Sequence, residues 1–107
     1  MPRYITFFTY SPEGYKGLLK DKASSREQYL RSTYQSAGGK LEAMYWLVTG
    51  ENTGVAIAEA DRDFGAAFSA AILSSGAIAE LKTYELMTSS EMDEALAKPA
   101  VYRAPGA

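Results

Sequence analysis

The segment that most restricts the fold is Tyr4–Tyr10, because it has no charged residue on either face of a strand. Every residue of this YITFFTY segment is aromatic or β-branched, which is typical of a β-strand. Alternate side chains of a strand point to opposite faces of a sheet. One face therefore carries Tyr4, Thr6, Phe8 and Tyr10, and the other carries Ile5, Phe7 and Thr9. Both faces of the sheet need a cover.

Helical patterns follow this strand. The turn residues Ser11–Gly14 precede a short helical segment over Tyr15–Lys22, which its glycine weakens. Ser24–Glu27 has the sequence of a capping box and predicts the start of a stronger helix. Gly38 and Gly39 predict its end, because glycine tolerates the left-handed conformation found after a helix.

A hairpin is predicted next. Lys40–Thr49 and Val55–Ala60 have strand composition, and the short turn Gly50–Gly54 between them implies antiparallel pairing. Simple alternation along the first of these strands places Leu41 with Tyr45 on one face. The same alternation gives the other face Glu42, Met44, Trp46 and Val48.

One more helix and strand complete the domain. Asp61 or Asp63 can cap a helix whose apolar stripe consists of Phe64, Ala67, Phe68, Ala71 and Ile72. Ala79–Met87 predicts a fourth strand, and the capping-box sequence Thr88–Glu91 begins a short last helix.

The predicted order is βαββαβ with an extra C-terminal helix. This is an α+β, ferredoxin-like arrangement, in which helices cover one face of a four-stranded antiparallel sheet. We expect one domain over residues 1–98 and an irregular tail over residues 99–107, where Pro99, Pro105 and Gly106 disfavour regular structure.

Composition excludes several kinds of site. The chain has no cysteine and no histidine, so thiol chemistry, Ser-His-Asp triads and histidine-ligated haem are excluded. We predict no metal and no cofactor. Lysine and arginine are scattered and the net charge is −2, which does not favour nucleic acid binding. No apolar run reaches membrane-spanning length and no signal peptide is evident, so we expect no membrane partner and a cytoplasmic protein.

Short motifs along nearly the whole chain resemble the GYD-domain family of small bacterial proteins. The matching motifs are Met1–Tyr4, Thr9–Gly14, Lys16–Leu19, Gly38–Glu42 with Tyr45, Ser75–Ala77, Leu86–Thr88 and Glu91–Met92. The resemblance implies the dimeric α/β-barrel variant of the ferredoxin-like fold and little about activity. Where the family has its Gly-x-Tyr-Asp motif, this chain has Gly50–Thr53, with Asn52 and Thr53 in the Tyr and Asp positions.

A homodimer follows from the uncharged first strand. A ferredoxin-like sheet has helices on one face only, so the other face of Tyr4–Tyr10 would expose an apolar patch that promotes association. Packing two such sheets face to face, with twofold symmetry, covers it.

Tyrosine is over-represented, with 8 in 107 residues, and this points to an aromatic ligand pocket between sheet and helices. The candidate lining residues are Tyr10, Tyr34, Tyr45, Trp46 and Tyr84. Packing in the core and at a dimer interface explains the same aromatic residues.

Two charged residues are candidates for the pocket mouth. Glu42 lies on an otherwise apolar strand, and Arg26 lies near a helix start that favours anions. The alternatives for Glu42 and Glu59 are a rim position at a strand end or an ion pair with Arg26 or Lys82, and the alternative for Arg26 is a solvated surface position.

Two functions remain open from the sequence. One is a small-molecule binding protein, extending to a cofactor-independent enzyme acting on aromatic compounds, as in other proteins of this fold. The other is a non-catalytic structural or interaction module with a fully packed core.

Overall fold

The computed structural model describes residues 1–107. The elements in chain order are β1 (Arg3–Tyr10), α1 (Pro12–Asp21), α2 (Ala23–Ser36), β2 (Lys40–Trp46), β3 (Gly54–Glu59), α3 (Arg62–Ser74), β4 (Ile78–Leu86) and α4 (Ser89–Leu96). The strands form one antiparallel sheet in the order β2-β3-β1-β4. The predicted α+β, ferredoxin-like arrangement is therefore confirmed, with α4 as the extra C-terminal helix.

The register of the sheet shows which side chains share a face. Thr6 lies opposite Ala56 on β3 and Thr83 on β4, and this face meets the helices. We call the opposite side of the sheet the bare face. Its central residues are Ile5, Phe7, Thr9, Ala43, Tyr45, Val55, Ile57, Lys82 and Tyr84, and towards its ends lie Arg3, Lys40, Glu59, Glu80 and Leu86. Of the two apolar faces of β1, the helices thus cover the one with Tyr4, Thr6, Phe8 and Tyr10.

The buried core lies under α2, where β2, β3 and β1 meet. Phe8, Leu41, Met44 and Ala58 form one buried cluster, and Leu41 is only 2% exposed. A β-bulge between Leu41 and Ala43 shifts the register, because one extra residue is inserted there. Leu41 and Met44 consequently share the helix side. The simple alternation predicted for this strand was wrong for that reason.

Helix α1 is longer than the sequence pattern predicted. It begins at Pro12, and the Ser11 hydroxyl caps it by accepting a hydrogen bond from the Gly14 N–H at 3.2 Å. Residues predicted as a turn thus form the helix start. Gly14 is buried, and a Cβ there would collide with the carbonyl oxygen of Ala77. Glycine therefore allows α1 to approach the start of β4 closely.

The capping box predicted at Ser24 does not form. Helix α2 begins at Ala23 directly after Lys22, whose φ is +75°, and no side chain caps its N-terminus. A single residue separates α1 from α2, so Ser24 already lies inside the first turn. Glu27 instead accepts two hydrogen bonds from Arg31, at 2.9 and 3.1 Å. The helix ends before Gly38, which has φ +80°, as predicted.

Two other predicted features, the length of β2 and the covered side of α3, differ in the structure. Strand β2 ends at Trp46 rather than Thr49, because its partner β3 begins opposite Trp46 at Gly54. On α3, Phe64, Phe68 and Ile72 are half-buried, whereas the two alanines of the predicted stripe are exposed. Gly65 and Ser69 are half-buried as well, so the covered side of α3 is rotated relative to the predicted stripe.

Helix α4 extends away from the sheet. Its predicted capping box forms, with the Glu91 N–H donating to the Thr88 hydroxyl at 3.1 Å and the Thr88 N–H donating to Glu91 at 2.8 Å. The radius of gyration is 17.0 Å, against about 13 Å for a compact chain of this length. The C-terminal segment accounts for this shape, since all residues after Leu86 are exposed. No helix of the protein has the length and apolar content that crossing a membrane requires.

Candidate functional site

A cavity of about 420 Å³ lies between the helix-side face of the sheet and the three helices α1, α2 and α3. Its floor is formed by the sheet residues Thr6, Ala56 and Leu81, and two thirds of the residues that line it are hydrophobic. The floor has room because Ala56, in the middle of β3, has a side chain of one carbon.

Aromatic rings form much of the cavity wall. Tyr34 of α2 makes edge contacts with both Phe64 and Phe68 of α3, with ring centroids 5.6 Å apart in each pair. On the sheet, Phe8 packs against Tyr10 with centroids 5.5 Å apart. Edge and tilted contacts of this kind hold each ring in place. The wall is therefore preformed, as ligand pockets usually are.

Two tyrosine side chains of the inner wall have hydroxyl groups without a hydrogen-bond partner in the protein. The hydroxyls of Tyr10 and Tyr34 make no hydrogen bond within the chain, yet no fully buried side-chain polar atom lacks a partner. Both hydroxyls are therefore at least partly accessible, and both residues line the cavity. Burial raises the pKa of the Tyr34 phenol, because the charged form loses hydration. Tyr34 consequently keeps its proton and can donate a hydrogen bond to a molecule in the cavity.

Charged residues are confined to the mouth of the cavity. Arg26 is half-buried, and its guanidinium lies over the Tyr29 ring, 5.0 Å from the ring centroid. Glu13 and Asp21 line the same mouth and are exposed. Glu13 accepts a hydrogen bond from Lys16 at 3.5 Å. The inner wall is thus apolar, and charge is available only where the cavity meets solvent.

The sheet separates the residues that the sequence grouped into one site. Tyr10, Tyr34 and Arg26 line the cavity. Tyr45 and Tyr84 lie on the bare face, where they are 66% and 56% exposed, and they point away from the cavity. The predicted aromatic set is therefore divided between two surfaces of the molecule.

Trp46 and Glu42 have structural contacts of their own. Trp46 packs against Phe8 and Tyr10 from behind the cavity wall, with centroids 5.7 and 6.1 Å away. Glu42 accepts a hydrogen bond from Arg3 at 2.7 Å, and Glu59 accepts one from the same guanidinium at 2.9 Å. These carboxylates pair with Arg3 rather than with the partners weighed from the sequence.

Several lining residues were not among the sequence candidates. They are Thr6, Leu18, Leu30, Met44, Ala56, Phe68, Ile72 and Leu81. Phe68 and Ile72 belong to the apolar stripe of α3, so the sequence marked them as inward-facing. That α3 contacts α2 through Tyr34, beside the cavity, is a tertiary feature, and no local pattern indicates it.

The residues at the family's Tyr-Asp positions hold the β2–β3 turn against β1. The buried Thr53 hydroxyl accepts a hydrogen bond from the Tyr10 N–H at 2.8 Å and lies 2.8 Å from the Tyr15 hydroxyl. The Asn52 side-chain oxygen accepts a hydrogen bond from the Thr9 hydroxyl at 3.1 Å. Both residues therefore have a structural role, fixing the strand that carries Tyr10 into the cavity.

The chain has no group of acidic side chains placed to hold a metal ion. The sequence matches no curated protein. A family model described as the GYD domain matches residues 4–96, which includes every strand apart from the first residue of β1, and all four helices. The chain therefore belongs to the GYD-domain family.

Proposed function

We propose that this protein binds a small apolar or aromatic molecule in the cavity between sheet and helices, and that it does so as a homodimer joined through the bare face. The observation that carries the proposal is the cavity itself. Its volume of about 420 Å³ lies within the range of about 300–1,000 Å³ typical of ligand pockets. Its wall combines aromatic rings with the free hydroxyls of Tyr10 and Tyr34.

An apolar cavity open to solvent keeps hydrophobic side chains in contact with water, and a ligand removes this cost. Burying apolar surface is favourable. A bound aromatic molecule would cover Tyr34, Phe68 and Ile72. This argument favours ligand binding over a structural module with a fully packed core.

The bare face supports the dimer. Ile5, Phe7, Val55 and Ile57 lie together at its centre, on the two inner strands β1 and β3. No helix of the same chain covers them, and contiguous apolar patches on a single chain mark interaction sites. A second copy presents the same patch, so a twofold axis pairs like with like.

A cofactor-independent reaction on an aromatic compound is the second candidate function. The observation that favours it is the free Tyr34 hydroxyl, which burial keeps protonated. A phenol in that position would donate a hydrogen bond to a carbonyl oxygen and draw electron density from the bound molecule. The cavity's carboxylates lie at the exposed mouth, so binding remains the primary proposal.

Titration with 2-naphthol, a neutral aromatic probe, tests the proposal. We expect saturable binding by calorimetry and a change in Trp46 fluorescence, because Trp46 packs on the cavity residues Phe8 and Tyr10. Ala56→Leu places a larger side chain on the cavity floor and should weaken binding at least about 10-fold, or about 1.4 kcal/mol. Ala70→Leu, at an exposed position of α3, is the matched control.

Absence of binding would contradict the proposal. If 2-naphthol and other neutral aromatic compounds leave the calorimetric signal, the Trp46 emission and the melting temperature unchanged, the cavity is not a binding site. Equal weakening by Ala56→Leu and Ala70→Leu would place any observed binding elsewhere on the protein.

A further inference from the structure

We infer that the ligand is an aromatic molecule with one negatively charged group, such as an aryl carboxylate, and that Arg26 binds this group at the cavity mouth. The inference rests on the proposed function, since it names the chemical class of the molecule in the same cavity. The ring system would lie against Tyr34 and Phe68, and the charge would lie where the cavity opens.

The surroundings of Arg26 differ from those of the other half-buried arginines. Arg3 pairs with two glutamates, and Arg31 pairs with Glu27 at 2.9 Å. Arg26 is also half-buried and makes no ion pair; its guanidinium lies over the face of Tyr29. A partly desolvated guanidinium interacts more strongly with an anion than an exposed one does. In this chain Arg26 is the one half-buried cation that has none, and it lines the cavity.

The position of Arg26 on α2 also favours an anionic partner. It lies just inside the N-terminus of the helix, where the aligned peptide dipoles are positive and a cation is unfavourable. An anion beside Arg26 would interact favourably with the guanidinium and with the helix end. The cavity is what makes this a binding site, because it provides room for the rest of the molecule.

The spacing of residues on α2 gives the length of the cavity wall along this helix. Arg26, Leu30 and Tyr34 are four residues apart, so they lie on one side of the helix, and all three line the cavity. At 1.5 Å per residue, the backbone distance from Arg26 to Tyr34 is about 12 Å. A fused bicyclic aromatic carboxylate is of a length that suits this wall, with its charge towards Arg26 and its rings towards Tyr34.

Two carboxylates at the mouth make a cationic ligand the rival class. Glu13 is held by Lys16, and both side chains are largely exposed. Asp21 is exposed and makes no ion pair. Water and salt screen exposed charges, whereas the half-buried guanidinium is screened less. The geometry consequently favours an anion over a cation.

Calorimetry with three probes of one shape decides between these classes. The probes are 2-naphthoate, which is anionic, 2-naphthamide, which is neutral, and 2-naphthylmethylamine, which is cationic. The wild-type protein should bind 2-naphthoate at least about 10-fold more tightly than 2-naphthamide, as expected for a charge-assisted hydrogen bond. Arg26→Gln should reduce this preference to within about twofold. Binding of 2-naphthamide should be unchanged, which also shows that the variant is folded.

A matched control and three outcomes complete the test. Lys20→Gln removes a charge from α1 that does not line the cavity, and it should keep the preference for 2-naphthoate. If 2-naphthamide binds the wild type as tightly as 2-naphthoate, the inference fails and the proposed function stands. Tightest binding of the amine overturns the inference in favour of a cationic ligand. If none of the probes binds, the proposed function fails as well.

Discussion

The two faces of this sheet are built from alternate residues of the same strands, yet their surroundings differ. On the helix side, Phe8, Leu41 and Met44 are buried, and the space beside them is an open cavity. On the bare face, Phe7 and Ile57 are as apolar as their helix-side neighbours and half-buried by the sheet itself, but no helix packs extensively on them. Helices thus pack on one face and leave a cavity there, whereas no helix packs extensively on the other face.

This difference assigns separate tasks to adjacent residues. In the proposed function, the gap beneath the helices takes a molecule of limited size, whereas the flat, open surface pairs with a second copy. Because strand side chains alternate, a single strand such as β3 contributes Ala56 to the cavity and Ile57 to the bare face. Substitutions one residue apart should therefore affect ligand binding or association separately.

The largest expected effect is the loss of stability when the packed end of the helix side is truncated. Leu41 is the largest fully buried side chain, so Leu41→Ala should lower the free energy of unfolding by about 2–5 kcal/mol. Leu19, which is 75% exposed on α1, provides the control. Leu19→Ala should change the free energy of unfolding by less than about 0.5 kcal/mol. Urea denaturation measures both. Similar small effects would mean that the helix side has no packed core.

On the bare face, a buried charge should prevent association without unfolding the chain. Phe7→Glu places a carboxylate at the centre of the proposed interface and should weaken dimerisation by about 100-fold or more, since a charge desolvated there has no partner. Tyr45→Glu lies on the edge strand β2 and should weaken it much less. Sedimentation equilibrium gives the dissociation constants. A wild-type chain that remains a monomer at micromolar concentration would contradict the account of this face.

Two glycines of α1 distinguish close packing from open space within the helix side. Gly14→Ala should destabilise the protein by about 1–3 kcal/mol, because its Cβ would meet the Ala77 carbonyl oxygen. Gly17→Ala should stabilise it by about 0.5–1 kcal/mol, because no atom lies near the new Cβ and alanine favours a helix. Thermal unfolding of the two variants should therefore shift in opposite directions. Shifts of the same sign would show that α1 is packed differently.

The smallest expected effect is confined to α4, which belongs to neither face. Hydrogen bonds from the Thr88 backbone and hydroxyl hold the pKa of Glu91 below its ordinary value. A lowered folded-state pKa stabilises the helix above the unfolded-state pKa, and this stabilisation is lost as the pH falls through the folded-state value. The NMR Cα shifts of α4 should thus lose helical character on acidification below pH about 4. Loss of helical shifts in α3 over the same pH range would contradict a local effect.

The fold followed from patterns along the chain, but the details of packing did not. The uncharged β1 segment, the glycines after α2 and the capping box of α4 indicated the element order correctly. The bulge at Leu41 and the adjoining α1 and α2 depend on contacts with other elements. Ser24 has the right sequence for a cap, but the preceding helix occupies the residues a cap needs.

The candidate site was predictable only in part. Arg26 and Tyr34 were marked by helix position and residue type, and the structure brings both to one cavity with Tyr10. Tyr84 was grouped with them because composition alone cannot show which face of β4 it occupies. Its pairing opposite Ile5 places it on the bare face. The cavity itself exists because side chains do not fill the space beneath α3, and a local sequence pattern does not predict such a space.

Native mass spectrometry with 2-naphthol on two neighbouring substitutions tests the central claim most directly, because one spectrum reports both mass and bound ligand. Ala56→Leu should give a dimer without ligand, and Ile57→Glu should give a monomer that still binds ligand, whereas the wild type gives a liganded dimer. The account is contradicted if either substitution removes both properties from a folded chain, or if the two effects are exchanged. Either result would mean that the two faces of the sheet do not perform separate tasks.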